Sequence, residues 1–149
     1  MNHVDALTHE HLRYSILSSF TNAANLAEKI SHVCTARPGA NPEDAESLRL
    51  CLAEALTNIV EHAYGGMEGK PIHADVHIRT NSFEVELIDE GKAMPGGKLP
   101  EVSVDFDADD FESLPENGLG WLLIRSEMDD VGYERRDSCN VLRLQKRLS

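Results

Sequence analysis

Positive charge is scarce in this chain. Its 149 residues carry 14 Lys and Arg against 26 Asp and Glu, a formal net charge of -12. A field of that sign repels nucleic acid and anionic membrane surfaces, so neither is expected as a partner, and a phosphate ligand has to be held by local groups against the global potential. Cysteine is scarce as well: Cys34, Cys51 and Cys139 are odd in number and lack the spacing of zinc ligands. That argues against a disulfide framework and a zinc site, and the thiols read as reduced, two of them as packing residues. Long apolar runs are missing. Met1 to Glu10 contains two His and two acids, and no later stretch approaches the ~20 apolar residues of a membrane span. The expectation is a soluble, cytoplasmic protein. With no internal repeat, residues 1–149 read as one domain, large enough to bury a core without staples.

The most informative segment is Glu54-Ala55-Leu56-Thr57-Asn58-Ile59-Val60-Glu61-His62. At about 100° per residue, Glu54, Asn58, Glu61 and His62 share one narrow side of a helix, beside an apolar arc of Leu48, Leu52, Ala55, Leu56 and Ile59. A solvated face repeats Lys and Glu; this row has a base, a neutral oxygen ligand and an imidazole, and no lysine. Glu61 reads as a solvated neighbour, and His62 as a group satisfying the helix terminus and its dipole.

Around that helix, Leu12 to Ser18 alternates as a strand. Asn22 to Arg37 reads as a helix with Ala24, Leu26, Ala27, Ile30 and Val33 inward, ended by Pro38-Gly39. Asn41 caps the second helix, with Pro42 at its first position and Glu43 and Asp44 in its first turn, and the helix runs to about Tyr64 before Gly65-Gly66. Ile72 to Ile78 and Phe83 to Leu87 alternate on either side of Asn81-Ser82, a hairpin with one wet face. Gly118 to Met128 forms a third helix, and Val131 to Arg136 with Asn140 to Arg147 close a hairpin around Asp137-Ser138. Between the first hairpin and the third helix, Glu90 to Asn117 carries an acidic run through Asp105, Asp107, Asp109 and Asp110 with no core period, which reads as a functional segment such as a lid or as disorder, mobile in either case. The order β-α-α-β-β-lid-α-β-β favours an α/β two-layer sandwich, three helices on one face of a largely antiparallel sheet.

Two further groups carry chemistry. Period two places the Asp89 carboxylate on the inward side of its strand, where a buried acid needs a donor, and Gly91 lets the backbone turn tightly or a ligand approach. The plain alternative is an Asp closing a strand in a turn. Gly118-Leu119-Gly120 opens the third helix, where free backbone N–H groups and the helix dipole can hold phosphate; the alternative is a hinge entering a buried helix. The His73, Asp75 and His77 row reads as solvated polar alternation and is assigned no metal.

Together these motifs resemble the ATP-binding boxes of the GHKL superfamily. Among its branches the chain is most similar to the anti-sigma factor serine/threonine kinases of bacterial partner switching, over about residues 12–148, with Asn140-Val141-Leu142-Arg143-Leu144 resembling their last strand. The resemblance implies a Bergerat-type fold, ATP and Mg²⁺ as cofactors, Glu54 as general base and Asn58 as Mg²⁺ ligand. Asp89 would accept from the adenine amino group, Gly118, Leu119 and Gly120 would meet the phosphates, and residues 90–117 would form the ATP lid. Gly91, Lys92 and Ala93 stand at the first glycine box, with Ala93 where the family has a second glycine. Lys92 and Arg125 are the candidates for a phosphate clamp. The implied activity is phosphorylation of a Ser or Thr on a small anti-sigma antagonist protein, by a homodimer whose other partner is a sigma factor or another output protein. The competing reading is a nucleotide-binding or nucleotide-free module that sequesters a partner without chemistry. A histidine-kinase fragment with His9-Glu10 as phosphoacceptor fits poorly, because about ten residues before the first strand are too few for a dimerisation hairpin.

Overall fold

Strand alternation and helical apolar stripes converge on one buried layer. A computed structural model describes residues 9–100 and 118–148. Strand β1 spans Glu10–Leu17, β2 Pro71–Ile78, β3 Ser82–Asp89, β4 Asp130–Arg136 and β5 Cys139–Arg147. All pairings are antiparallel, in the order β1-β2-β3-β5-β4. Ile72, Ala74, Val76 and Ile78 of β2 and Phe83, Val85 and Leu87 of β3 point inward and are buried, as period two requires. Helices α1 (Phe20–Thr35), α2 (Pro42–Asn58) and α3 (Gly118–Glu127) send Leu26, Ile30, Leu48, Leu52, Leu56 and Ile124 into that same core. Three helices therefore cover one face of the sheet, the expected two-layer α/β sandwich. Among the described residues no helix is long and apolar enough to cross a membrane.

Local signals place most boundaries. Asn41 accepts from the Glu43 amide at 2.8 Å, with Pro42 in the first turn of α2. Asp137 and Ser138 both have positive φ, 50° and 67°, the signature of a two-residue type I′ hairpin turn. Helix α1, however, begins two residues earlier than its apolar period suggests, because Ser19 caps it by accepting from the Asn22 amide at 2.9 Å. Its buried stripe is Ala23, Leu26, Ala27, Ile30, Ser31 and Cys34, while Ala24 faces solvent. A serine is tolerated there because its hydroxyl donates to the Ala45 carbonyl at 2.9 Å.

The expected single helix from Asn41 to Tyr64 is also corrected. Helix α2 stops at Asn58, and Ile59–Ala63 forms one π turn closed by Tyr64 N donating to Ile59 O at 3.0 Å. The wider turn takes Glu61 and His62 out of α-helical register with Glu54 and Asn58. His62 is exposed, with Nε2 3.9 Å from Glu61 Oε2, while the amides of Tyr64 and Gly66 meet the carbonyls of Ile59 and Val60. The turn also aims the Ala63 carbonyl sideways, where it accepts from Lys92 N at 2.8 Å.

Cys34 and Cys51 are buried packing residues, and burial pushes both thiols up to about 12. On the outer face, His73, Asp75 and His77 bond to Ser15, His11 and His9 of or beside β1. Among the described residues no cluster of three His, Cys, Asp or Glu is disposed to hold a metal. His9 thus lies against a sheet and not on a helix. The acidic run Asp105, Asp107, Asp109 and Asp110 lies outside the described residues.

Candidate active site

Helix α3 packs antiparallel on α2: Cys51 Sγ reaches the Leu123 carbonyl at 3.8 Å, and Ser47 Oγ donates to Glu127 Oε2 at 3.1 Å. Trp121 and Ile124 anchor it in the core. That direction brings its first turn, Gly118-Leu119-Gly120, up against Glu54. A Cβ on Gly120 would lie 2.6 Å from Glu54 Oε2, so only glycine leaves the carboxylate its present place. Leu119 is exposed.

One turn beyond Glu54, Asn58 is buried, and its Nδ2 is the one buried side-chain N or O among the described residues without a hydrogen-bond partner. A half-turn of the amide exchanges Nδ2 for Oδ1 at the same point, offering a hard, neutral oxygen of the kind Mg²⁺ takes. The amide therefore fits a magnesium ion, which would take Asn58 Oδ1 as a protein ligand. Because the amide is only partly satisfied in the protein alone, Asn58→Leu is expected to leave the melting temperature unchanged or raise it by a few degrees. A drop of more than about 5 °C in a thermal melt contradicts this.

Asp89 sits where β3 ends, 3% exposed. Its Oδ1 accepts from Gly91 N at 2.9 Å and from Asn140 Nδ2 at 2.8 Å. Asn140 is its direct partner across the β3–β5 ladder. The turn reading and the inward-acid reading both hold: Oδ1 closes the turn, while Oδ2 takes no hydrogen bond among the described residues. Burial raises the carboxyl above the ordinary carboxylate value, opposed by the bonds from Asn140 and Gly91 and by the nearby charge of Arg135.

Gly91 follows in contact with the π turn; a Cβ there would lie 2.5 Å from the Ala63 carbonyl oxygen. Among the described residues only Asp137 and Ser138 are non-glycine at positive φ, so Ala93 sits in ordinary backbone and needs no glycine. Lys92 is exposed at this turn. Arg125 lies toward the other end of α3, donating to the Pro100 carbonyl at 3.3 Å; seven residues of helix separate it from Gly118 by about 10 Å.

The two glycines predict opposite outcomes for an added methyl. In Gly91→Ala the obstacle is backbone, which cannot rotate away, so a loss of about 2–3 kcal/mol is expected, a melting-temperature drop of roughly 5–10 °C for a chain of this size. In Gly120→Ala the obstacle is the tip of a flexible side chain, and alanine favours helix. Stability is expected to hold within about 1 kcal/mol while the Glu54 carboxylate is displaced. Parallel thermal melts check the contrast.

Three residues of this region carry no motif of their own: Asn140, Tyr133 and Arg135. Asn140 was visible only as part of a strand similar to a family's last strand, and nothing local shows that it faces Asp89.

A histidine kinase-like ATPase domain model matches residues 17–146. The chain belongs to that family, in keeping with its sheet, its helices and the motifs gathered between them. It is 34% identical to the serine-protein kinase RsbW of Bacillus thuringiensis and to that of Bacillus cereus, over 107 residues covering 71% of this chain and 66% of each relative. It is 34% identical to the serine-protein kinase RsbW of Listeria innocua over 96 residues, 64% of this chain and 61% of the relative. The chain thus spans just under two thirds of the length of these relatives.

Proposed function

We propose that this single domain is an ATP-dependent protein serine/threonine kinase that acts as an anti-sigma regulator, phosphorylating a small antagonist protein. The observation that carries the reading is the meeting of Glu54 with the first turn of α3. A carboxylate beside a helix N-terminus puts a proton acceptor next to backbone donors suited to phosphate, the pairing that phosphoryl transfer to a hydroxyl needs. In this reading Glu54 orients the incoming Ser or Thr hydroxyl and takes its proton, and the amides of Gly118, Leu119 and Gly120 hold phosphate oxygens. Asp89 Oδ2 accepts from the adenine amino group, with Gly91, Lys92 and Ala93 beside it. Asn58 is the protein ligand for Mg²⁺, which supplies positive charge to the phosphates in a chain otherwise short of it.

The names of the relatives, and the similarity to anti-sigma factor kinases in the boxes quoted above, support the activity and the class of substrate. The resemblance to anti-sigma factor kinases, and not the names, adds to this reading a homodimer working in the cytoplasm, with a sigma factor or another output protein as second partner. Ala93 in ordinary backbone removes one motive for a module without nucleotide. Calorimetry on the full chain separates the readings: Mg-ATP is expected to bind with micromolar affinity or better. Heat of partner binding without any heat of Mg-ATP binding would instead establish a sequestering module.

A further inference from the structure

The backbone that leaves β3 is pinned nearly residue by residue. Glu90 N donates to Tyr64 Oη at 2.8 Å, Gly91 N to Asp89 Oδ1 at 2.9 Å, Lys92 N to Ala63 O at 2.8 Å and Met94 N to Tyr133 Oη at 3.1 Å. Arg135 Nη1 donates to Gly91 O at 2.7 Å, and Asn140 Nδ2 to Lys92 O at 2.9 Å. Half of these bonds come from Tyr133, Arg135 and Asn140, and Asn140 links the other two: its Oδ1 receives Tyr133 Oη at 2.5 Å and Arg135 Nη1 at 3.1 Å.

This arrangement settles which way the Asn140 amide points. A guanidinium has donors only, so the atom facing Arg135 must be oxygen. The Tyr133 hydroxyl already accepts from Met94 N, which leaves its proton for the same oxygen. Nδ2 is thereby turned to Asp89, and its bond goes to Oδ1, not Oδ2. Resting on the function proposed above, we propose that Tyr133 and Arg135 are positioning residues for nucleotide selection. By locking the Asn140 amide they commit Oδ1 of Asp89 to the protein and present Oδ2 as a fixed acceptor for the exocyclic amino group of the base. Gly91 N and the two bonds of Nδ2 keep the amide and carboxylate in place without this lock, but removing a donor to Asn140 Oδ1 lets both shift, and the acceptor is held less sharply where the amino group arrives.

The test is calorimetric, on the full chain with Mg²⁺, comparing ATP with purine riboside triphosphate, which lacks the 6-amino group and is otherwise the same ligand. A hydrogen bond to a charged acceptor discriminates by about tenfold or more, so wild type is expected to prefer ATP by that factor. In Tyr133→Phe the preference is expected to fall to threefold or less, with affinity for the purine riboside analogue unchanged. A general loss of structure would weaken both ligands together. Arg135→Met, which removes the other donor to Asn140 Oδ1, is expected to do the same and serves where Tyr133→Phe does not fold. A folded variant that keeps the wild-type preference within twofold overturns the positioning role. A wild type that binds both ligands equally overturns the assignment of Asp89 as well.

Discussion

Replacing Glu54 by glutamine is expected to slow phosphotransfer by about 10²- to 10⁴-fold, the usual contribution of a positioned general base, while Mg-ATP affinity stays within a few-fold. Glutamine has the same shape, so its amide can keep the place beside Gly120 that the Glu54 carboxylate holds. Only the ability to take a proton is lost. The substitution also removes a negative charge near the phosphates, which favours nucleotide binding and separates this variant from one that acts by losing affinity. Single-turnover transfer at saturating Mg-ATP measures the step directly. A rate within threefold of wild type would remove Glu54 from the role of base, and would leave the helix N-terminus and metal as the whole of the chemistry. Gly120→Ala is the companion variant: it moves the same carboxylate without changing its chemistry.

Asp89→Asn is expected to weaken ATP binding by about 10- to 100-fold and yet not to destabilise the protein near neutral pH. The asparagine oxygen can still accept from Gly91 N and Asn140 Nδ2, so the turn is kept. Its NH₂ then stands in place of Oδ2 and opposes a second donor, the adenine amino group. Stability moves the other way because burial is the largest influence on this carboxyl and raises it. A raised folded value means a stabilising contribution present below the unfolded value of about 3.8 and lost as pH rises through the folded one. The wild type therefore bears the burial cost at neutral pH, and Asp89→Asn does not. The melting temperature of the variant relative to wild type is expected to rise with pH through the acid range and to level off once Asp89 is ionised. A relative melting temperature that falls over the same range contradicts the burial argument.

Much of the scaffold was legible because its signals are local. Asn41-Pro42 starts α2, alternation in β2 and β3 assigns their inner faces, and Asp137-Ser138 makes a two-residue turn, each decided within a few residues. Asp89 was legible by parity alone, as the next inward position after Phe83, Val85 and Leu87. What stayed hidden depends on contacts distant in sequence. Strand β5 inserts between β3 and β4, so Asn140 meets Asp89 only through a pairing that spans 51 residues. The π turn belongs to the same class. No breaker interrupts Asn58 to Tyr64; the change of period accompanies the engagement of the Ala63 carbonyl by Lys92 and the close approach of Gly91. The misplacement of Ala24 in α1, whose Leu26, Ala27 and Ile30 are inward as expected, has a simpler origin. Ala23 and Ala24 are interchangeable by hydropathy, and the buried polar Ser31, bonded to the Ala45 carbonyl, marks the edge of the inner face that hydropathy hides.

The central claim is that Glu54, Asn58, Asp89 and the first turn of α3 form one site for Mg-ATP that hands a phosphoryl group to a protein hydroxyl. Incubation of the full chain with γ-³²P-labelled ATP, Mg²⁺ and the purified small antagonist protein proposed as substrate tests it most directly. The predicted result is label on the antagonist that survives acid and is released by alkali, as phosphoserine or phosphothreonine, and that disappears with Glu54→Gln. The contradicting result is a folded protein that binds Mg-ATP by calorimetry and leaves the antagonist unlabelled, or that labels it equally well with Glu54→Gln.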